Sequence, residues 1–447
     1  MEKINHPRHM SSELEVADIV SSTHEGKGIA STEGKKVFVR GAITGEKVRF
    51  KRRKKRRNYD EAELIEIIKP SNSRIEPQCD FFNLCGGCSL QHIDIDAQRA
   101  LKENHLKESL IRIGSVKPTK WLNPIFDKDK GSEWNYRRKA RLAVKYVKKK
   151  ERVLVGFREK FAPFIVDMNR CDVLKHPINM LITPLSQLIG SLSIYSYLPQ
   201  VEVAIGDNQT ELVFRLLKDP DEKDKIRLIE FGKNNEIRIS IQRGGPDSIE
   251  LLYAGDPSIS LYYLHKQLNI KNEFKSSDFI QVNGNVNELM VMKVMELLDL
   301  KKNHVVVDLF CGIGNFTIPI AQKVKKVIGI EYSEDLVRRA RQNSSINNIL
   351  NADFICEDLE SVSKKWKDLT CDRLLLDPSR NGALEVIKNI TMFSPNKIVY
   401  VSCHPGTLAR DSDILVNQFG YVLSSAGIID MFPHTSHVES VAVFDRK

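Results

Sequence analysis

Residues 305–315 read Val-Val-Val-Asp-Leu-Phe-Cys-Gly-Ile-Gly-Asn, an apolar run that leads directly into a glycine-rich turn. The β-branched run predicts a buried strand, and the apolar residues through Ala321 predict that a helix follows it. Further helices and strands alternate over the rest of the chain, with strands predicted at 327–331, 353–355, 373–376, 397–402, 420–423 and 438–444. Such alternation is typical of a doubly wound parallel sheet, so we expect a Rossmann-like α/β domain at 271–447.

The glycine-rich turn indicates which ligand this domain binds. Gly312 and Gly314 allow a ligand to approach the backbone closely, and the N–H groups of the following helix favour a polar or anionic group. Thr317 replaces the third glycine of a dinucleotide motif, and the turn has no Lys or Arg to neutralise phosphate. Glu331 ends the next predicted strand, 23 residues after Asp308, where a carboxylate can accept both hydroxyls of a ribose.

Carboxylates also follow two other predicted strands, at Glu357-Asp358 and at Asp377-Pro378. Helix caps and strand-end turns would explain one or two of these acids, but they explain the whole set poorly. Carboxylates at the rim of a site attract an adenosine derivative that carries a positively charged sulfonium and an amino group. The pattern therefore predicts a site for S-adenosylmethionine.

A candidate nucleophile, Cys403, follows the predicted strand 397–402 and precedes Pro405. A strand-end cysteine taken alone is more often a packed structural thiol. A second polar segment at 432–440 contains Glu439, however. Methylation of an unactivated pyrimidine C5 needs a thiolate that adds to C6 and a base that removes the C5 proton, and these two residues would supply both.

The cysteines at 79, 85 and 88 form a second local cluster, with Cys171 as the natural fourth ligand. Four thiolates suit either a structural zinc ion or an iron–sulfur cluster, and the spacing alone slightly favours zinc. The spacing is not the three-cysteine signature of enzymes that cleave S-adenosylmethionine into radicals. The other three cysteines, which have no partners at useful spacing, are expected to be core or loop thiols: Cys311, Cys356 and Cys371.

Positive charge is concentrated in the N-terminal part of this chain of 447 residues, 51.0 kDa and net charge +10. Residues 271–447 hold 21 Lys and Arg against 22 Asp and Glu, which leaves 47 against 36, a net of +11, for residues 1–270. The excess lies mainly in the run 51–57 and in the stretch 137–158. A cationic run is often only a solvated loop, but two of them beside a neutral domain favour a nucleic-acid partner.

Residues 12–70 are predicted to form four or five short strands, which is typical of a small β-barrel that binds nucleic acid. Strand patterns flank the run 51–57, so we expect a hairpin that carries a basic arm. Residues 96–113 predict an amphipathic helix, and the region from 136 to about 262 predicts an α+β fold with longer connections around 218–235. No stretch approaches the ~18 consecutive apolar residues of a membrane span, no secretory signal is recognised, and eight cysteines are too few for a disulfide scaffold.

Together these motifs resemble the RumA/RlmD family of bacterial 23S ribosomal RNA (uracil-5-)-methyltransferases over essentially the whole chain. The resemblance implies a TRAM-like RNA-binding barrel at 1–73, an iron–sulfur domain at 74–270 and a methyltransferase domain at 271–447, with the helix at 96–113 packing on the last. It favours a [4Fe–4S] cluster over zinc, with four cysteine ligands: Cys79, Cys85, Cys88 and Cys171.

The resemblance also implies roles for individual residues of the catalytic domain. Cys403 would be the nucleophile and Glu439 the base. The residues expected to bind S-adenosylmethionine are Gln281, Phe310, Asn315, Glu331, Asp358 and Asp377. The chain departs from the family pattern at His404, where Asn is usual, and at Ser379, where Ala or Pro is more usual.

The sequence therefore predicts a monomeric cytoplasmic enzyme, not associated with a membrane, that forms 5-methyluridine in 23S ribosomal RNA. A transfer-RNA uracil-5 methyltransferase is the nearest alternative, and the barrel and the cysteine cluster disfavour it. The alternative from a different class is a non-catalytic RNA-binding protein that has kept the donor fold. The presence of Cys403, Glu439 and the acidic rim disfavours that alternative.

Overall fold

Five N-terminal strands close into a barrel in the computed structural model, which describes residues 13–23, 25–32, 34–361 and 369–447. The strands are β1 (Glu15–Ser22), β2 (Gly28–Thr32), β3 (Lys35–Arg40), β4 (Lys47–Lys55) and β5 (Tyr59–Lys69), in the order β1-β2-β3-β5-β4. Pairing of β1 with β4 closes the barrel around the buried side chains of Ile19, Val37, Val48 and Phe50. The predicted small barrel is confirmed, although residues 1–12 of the predicted 1–73 domain lie outside the described residues.

The basic run 51–57 lies differently from the predicted arm. Its first five residues form the second half of β4, which pairs with β5 up to Lys55 and Asp60. Arg52 is enclosed there by two carboxylates, since it donates to Glu15 at 2.7 Å and to Asp60. The strand can continue through the run because acidic residues on the neighbouring strands neutralise part of its charge. The predicted hairpin is present as β4 and β5, and most of the basic run belongs to its first strand.

A six-stranded sheet and two helices make up the middle of the chain, after helix α1 (Ile95–Arg112) and the short strand β6 (Lys120–Trp121). Its elements are β7 (Lys139–Val147), β8 (Arg152–Gly156), α2 (Ile182–Ser191), β9 (Gln200–Ile205), β10 (Thr210–Arg215), α3 (Glu222–Asn235), β11 (Ile237–Gln242) and β12 (Ile249–Tyr253). The order is β12-β11-β10-β9-β7-β8. The stretch 218–235, predicted as a long connection, contains α3, whose N-terminus is capped by Asp221.

The C-terminal part begins with an antiparallel hairpin of β13 (Leu261–His265) and β14 (Ile270–Phe274). Alternating elements follow: α4 (Gly284–Leu297), β15 (Val305–Leu309), α5 (Thr317–Ala321), β16 (Lys326–Glu331), α6 (Glu334–Ile346), β17 (Ala352–Cys356), β18 (Arg373–Leu376), α7 (Leu384–Lys388), β19 (Lys397–Ser402), α8 (Pro405–Asp413), β20 (Tyr421–Ile429) and β21 (Glu439–Arg446). They form an eight-stranded sheet in the order β17-β16-β15-β18-β19-β21-β20-β6.

The eight-stranded sheet is mixed, although the sequence predicts a parallel one. Strands β15 to β19 run parallel, as predicted, but β21 inserts antiparallel beside β19, and β20 is antiparallel to β21. The C-terminal half of α1 contributes Leu106 and Leu110 to the core that covers this sheet. Among the described residues, no helix is both long and apolar enough to cross a membrane.

The chain divides into two compact units. The first contains the described residues up to Phe82, together with Cys88–His105 and His434–Ser436. The second contains Asn83–Gly87, Leu106–Pro433 and His437–Lys447, and thus both the six-stranded and the eight-stranded sheet. The three-domain division at 1–73, 74–270 and 271–447 stays a prediction.

Candidate active site

Five neighbouring strands of the second unit bring predicted site residues to one edge of the eight-stranded sheet. Glu331 is the last residue of β16, Phe310 follows β15, Asp377 follows β18 and Cys403 follows β19. These four strands are parallel, so their carboxyl ends meet at the same edge. Strand β21 runs the other way, and its first residue, Glu439, therefore lies at that edge too.

The pairing of β19 with β21 brings the two predicted reacting residues together. Ser402 pairs with Ser440 in the antiparallel register, and the Ser440 hydroxyl donates to the Ser402 carbonyl at 3.1 Å. Cys403 comes directly after Ser402 and Glu439 directly before Ser440, so the two residues adjoin the last pair of this ladder, and the charge of Glu439 acts on the Cys403 thiol. A thiol and a carboxyl group thus meet where a substrate base would have to react.

Burial disfavours the charged form of both of these groups. It raises the pKa of the Cys403 thiol to about 11, and the nearby carboxylates of Glu439 and Asp377 add to that effect. Arg380 acts in the opposite sense on the same thiol pKa. Burial also raises the pKa of Glu439 far above its usual value, with Asp377 adding to the shift. A cation brought to this edge would therefore favour ionisation of the whole group.

The glycine-rich turn after β15 has the backbone that its sequence predicts. Phe310, Gly312 and Gly314 have φ values of +66°, +55° and +91°, in the left-handed region. A Cβ added at Gly314 would lie 2.9 Å from the Ile318 side chain, whereas one added at Gly312 would point into open space. The backbone at Gly312 is thus open to a ligand. Its N–H donates to a Glu331 carboxylate oxygen at 3.2 Å, which links the turn to the predicted ribose-binding acid.

Asp308 belongs to the site, although in the sequence it served only as a reference point for the spacing to Glu331. It is fully buried in β15, and one carboxyl oxygen accepts from the Thr317 hydroxyl at 2.5 Å. The other oxygen has no hydrogen-bond partner among the described residues. Burial is the largest cause that raises the pKa of Asp308 to about 7, and burial likewise raises that of Asp377 to about 7. A carboxylate inside an apolar strand was the signal that could have identified it.

The Asn315 side chain is occupied by contacts within the protein. Its carbonyl oxygen accepts from the Tyr263 hydroxyl at 2.9 Å and from the Asn287 amide at 2.9 Å. The Asn315 amide donates to the side-chain carbonyl oxygen of Asn287 at 3.0 Å, and His265 Nε2 lies 3.2 Å from the side-chain carbonyl oxygen of Asn315. The sequence did not predict this network, because its members come from β13, α4 and the turn. The network fixes the turn against α4 and β13, and donor binding by Asn315 stays a prediction.

Gln281 and Asp358 lie in connections that flank the strands. Gln281 is half-buried between β14 and α4, two residues before Asn283, which caps α4 by accepting from the Val286 N–H at 3.2 Å. Asp358 follows β17, and its carboxylate accepts from the Glu360 N–H at 2.9 Å and from the Ser361 hydroxyl at 3.1 Å. Both oxygens of the Asp358 carboxylate therefore accept hydrogen bonds within a local turn.

Comparison with known proteins gives full-length relatives. A protein of Legionella pneumophila (strain Paris) named 23S rRNA (uracil(1939)-C(5))-methyltransferase RlmD is 41% identical over 100% of both chains. A protein of Nitrosococcus oceani with the same name is 44% identical over 99% of both chains. The chain belongs to the RlmD family of 23S rRNA (uracil-C5)-methyltransferases.

Two further comparisons support the fold of this RlmD-family chain. Residues 258–447 match the family model described as tRNA (Uracil-5-)-methyltransferase. The structure of Pyrococcus abyssi tRNA (uracil-54, C5)-methyltransferase in complex with S-adenosyl-L-homocysteine superposes with a TM-score of 0.73. That match covers 96% of this chain and 100% of the other at 24% sequence identity, and it establishes a common fold.

His404, one of the two departures from the RumA/RlmD pattern, has a clear local role. It is the N-cap of α8, where its Nδ1 accepts from the Thr407 N–H at 3.1 Å. Asn is among the best N-cap residues, so the histidine replaces one cap with another. Because Nδ1 accepts, the proton of the neutral ring lies on Nε2.

The predicted cluster cysteines of this RlmD-family chain lie in both units. Cys85 and Cys171 are buried residues of the second unit, whereas Cys79 and Cys88 belong to the first. The Gly87 N–H donates to the Cys85 sulfur at 3.4 Å, and burial raises the pKa of that thiol. Within the part of the chain that the structure describes, no group of three or more His, Cys, Asp or Glu side chains has a metal-binding arrangement. The four-cysteine cluster stays a prediction.

Proposed function

We propose that this chain transfers a methyl group from S-adenosylmethionine to C5 of a uracil in 23S ribosomal RNA and so forms 5-methyluridine. One observation carries the proposal: the antiparallel strand β21 places Glu439 close to Cys403, at the same edge as the glycine-rich turn and Glu331. The full-length relatives carry this activity in their names.

The chemistry follows from what each side chain at this edge can do. S-adenosylmethionine supplies the methyl group and a positively charged sulfonium. Glu331 would accept the ribose hydroxyls, and Asp308 and Asp377 would supply negative charge to a cationic ligand. The ionised form of Cys403 is the form that can attack, and a cation held beside these acids lowers the pKa of its thiol.

The covalent steps need only Cys403 and Glu439 from the protein. The Cys403 sulfur forms a bond to C6, and the electron pair of the C5–C6 double bond moves to C5 and O4. C5 then takes the methyl group, and the sulfonium leaves as a neutral thioether. Glu439 removes the C5 proton, the double bond re-forms and the bond between Cys403 and C6 breaks.

The chain's other parts would hold the RNA and the cluster. We propose a TRAM-like RNA-binding barrel at 1–73, a central domain at 74–270 and the methyltransferase domain at 271–447, acting in the cytoplasm as a monomer. The remaining donor contacts would come from Gln281, Phe310, Asn315 and Asp358. The base would have to leave its stack to reach Cys403, so unpaired or distorted RNA is the expected substrate.

Four cysteines are proposed to hold a [4Fe–4S] cluster: Cys79, Cys85, Cys88 and Cys171. The donor set fits, since four thiols are the usual ligands of such a cluster and the Gly87 N–H already donates to the Cys85 sulfur. The cluster would join distant stretches of chain and would take no part in the methylation steps.

Purification without oxygen is expected to give a brown protein with about four iron atoms per chain. Iron analysis and the visible absorption spectrum test this, and Cys85→Ser should remove the colour and most of the iron. Cys371→Ser, which changes a cysteine outside the proposed set, should keep both. A colourless protein that contains zinc would contradict the iron–sulfur assignment and indicate a structural zinc site.

Affinity for S-adenosylmethionine is expected to rise with pH between 6 and 8. Asp308 and Asp377 have raised pKa values of about 7, so both are largely protonated below pH 7 and become anionic above it. Ionisation of these two acids strengthens binding of the cationic sulfonium, whereas it does not strengthen binding of the neutral sulfur of S-adenosylhomocysteine. One pKa unit of coupling would raise the affinity ratio of the two ligands by about tenfold. Titration calorimetry over this pH range measures it, and a constant ratio would contradict the coupling.

The cations of the barrel are expected to fall into two classes. Lys54, Lys55 and Arg57 are exposed, and none forms a salt bridge within the described residues. Changing all three to Gln should weaken RNA binding and reduce its salt dependence, by about 0.7–0.9 in the log–log slope for each phosphate that the chain no longer neutralises. Arg52→Gln should instead lower the melting temperature, because it breaks the pairs with Glu15 and Asp60. Unchanged RNA binding by the triple variant would show that these cations do not contribute to RNA binding.

The proposed function is tested by mapping 5-methyluridine in 23S ribosomal RNA from cells with and without the gene. The purified chain should also methylate a 23S fragment that contains the uracil at position 1939, which the relatives' names specify. Transfer RNA serves as the competing substrate, since the family model and the superposed structure are both named for transfer RNA. Methylation of transfer RNA alone would overturn the assignment to ribosomal RNA.

A further inference from the structure

Two phenylalanine rings lie exposed on one hairpin of the second unit. This segment, residues 157–166, is named here the aromatic hairpin. Phe161 is 70% exposed and Phe164 is 60% exposed, although neither belongs to the edge that contains Cys403. Large exposed apolar side chains that lie close together often mark a binding surface.

The backbone of the aromatic hairpin is held on both sides. Across the hairpin, the Glu159 N–H donates to the Phe164 carbonyl at 2.9 Å and the Val166 N–H to the Phe157 carbonyl at 3.0 Å. On its outer side, residues 84–86 pair with it, since the Gly86 N–H donates to the Arg158 carbonyl at 2.8 Å. Rings carried on such a fixed frame lose little conformational freedom when a ligand binds.

The sequence that leads into the aromatic hairpin is rich in positive charge. Residues 137–160 contain eleven Lys and Arg against two Glu. Some of these cations are neutralised, as Arg152 is by Asp167 at 2.6 Å. Others are exposed and form no salt bridge within the described ranges: Lys145, Lys148, Lys149 and Arg158. The Arg158 guanidinium donates to the Pro163 carbonyl at 2.7 Å, which holds a positive charge against the segment that carries the two rings.

We infer that the aromatic hairpin is a stacking platform for unpaired nucleobases of the RNA substrate. Exposed rings combined with nearby cations are the means by which proteins bind single-stranded nucleic acid, because the rings stack on bases and the cations contact phosphates. The surrounding positive charge favours a polyanion over an apolar protein surface. The inference rests on the proposed function and adds to it a part of the RNA-binding surface outside both the barrel and the reacting edge.

The test compares RNA binding by the full-length chain and by the double variant Phe161→Ala/Phe164→Ala. One probe is a 23S fragment with unpaired bases around the target uracil, and the other is a fully paired duplex of equal length. The double variant should lose about 5- to 100-fold in affinity for the unpaired probe for each ring that stacks on a base. Binding to the duplex should change less than twofold, and the salt dependence should stay the same, because the variant keeps every cation that can reach a phosphate.

Three controls separate stacking from other effects. Leu217→Ala removes an apolar side chain that is 67% exposed in the same unit, and it should bind RNA like the unchanged chain. Phe161→Tyr/Phe164→Tyr keeps the rings and should keep the affinity. Phe161→Leu/Phe164→Leu keeps apolar surface without rings and should lose affinity, which also tests the inference if the alanine variant does not fold.

Equal affinity of the alanine and unchanged chains for the unpaired probe would overturn the inference. Full binding by the leucine variant would also overturn it, because apolar contact, as with a protein partner, would then suffice. The proposed function is judged separately by the unchanged chain. If that chain makes no 5-methyluridine, the proposed function is refuted. If that chain is active and the alanine variant binds the unpaired probe normally, only the stacking platform is refuted.

Discussion

Cys403→Ala is expected to reduce formation of 5-methyluridine to background and to abolish the covalent adduct with RNA that contains 5-fluorouracil. The sulfur at this position is the proposed group that adds to C6, and no other described thiol follows β19. With fluorine at C5, the step that removes a proton cannot occur, so an enzyme with its nucleophile intact stays joined to the RNA. Denaturing gel electrophoresis with labelled RNA measures the adduct, and digestion with mass spectrometry measures the product.

Cys356→Ala is the matched control for this experiment. Cys356 is half-buried like Cys403 and is the last residue of β17, the edge strand of the same sheet. The Cys356→Ala variant should form the adduct and turn over like the unchanged chain. An adduct that survives in Cys403→Ala would contradict the assignment of the nucleophile and would direct attention to another thiol.

The pH dependence of adduct formation gives a second measurement on the same residue. Burial and the charges of Glu439 and Asp377 raise the pKa of Cys403 to about 11. Without the donor, the reactive thiolate should therefore increase about tenfold for each pH unit between 7 and 10. A bound cationic donor should flatten this rise, because it lowers the pKa of the thiol.

The strands that carry the site were predictable because they are short apolar runs with polar ends. Strands β15, β18 and β19 begin and end at the residues that the sequence predicts. Their parallel order follows from the alternation with helices, and it places Asp377 and Cys403 at one edge. Local pattern was sufficient for these elements, because a strand buried on both faces leaves a continuous apolar signature.

The position of β21 could not be predicted in the same way. The sequence indicates a strand at 438–444, but it does not indicate that this strand inserts antiparallel beside β19 and so places Glu439 close to Cys403. Strand order depends on contacts between residues far apart in the chain. Before the structure, the two residues were connected by their chemistry and by the resemblance to a known family, and not by any sign of their place in the sheet.

Errors elsewhere have identifiable physical causes. Helix α3 was missed because only three of its residues are buried, so its charged sequence resembles a loop. The sequence predicts strands on either side of the basic run, whereas β4 continues into the run as far as Lys55; the acids that neutralise Arg52 there are distant in sequence or on the next strand. The type and position of Asn315 gave no sign of its network with Asn287 and Tyr263, because the members come from separate elements. Donor binding by Asn315 stays a prediction.

Glu439→Gln is expected to separate the two halves of the reaction, since it removes the proposed base and keeps the nucleophile. The glutamine has nearly the same shape but cannot take the C5 proton, so turnover should fall by about 10²–10⁴-fold. Attack by Cys403 should persist, because the carboxylate of Glu439 raises the pKa of the thiol and its removal lowers that pKa. The variant should therefore accumulate a covalent adduct with ordinary uracil RNA, in which the methyl group has already been transferred.

A donor with a radiolabelled methyl group tests this outcome, because the label should appear in the protein–RNA band of Glu439→Gln. Cys403→Ala should show neither the band nor the label. Asp445→Asn is the matched control, since it removes a carboxylate near the other end of β21, where Asp445 pairs with Lys397 at 2.6 Å. That variant should turn over normally. Normal turnover by Glu439→Gln would show that another group removes the proton, and the half-buried Asp377, whose pKa lies at about 7, would then be the next residue to replace.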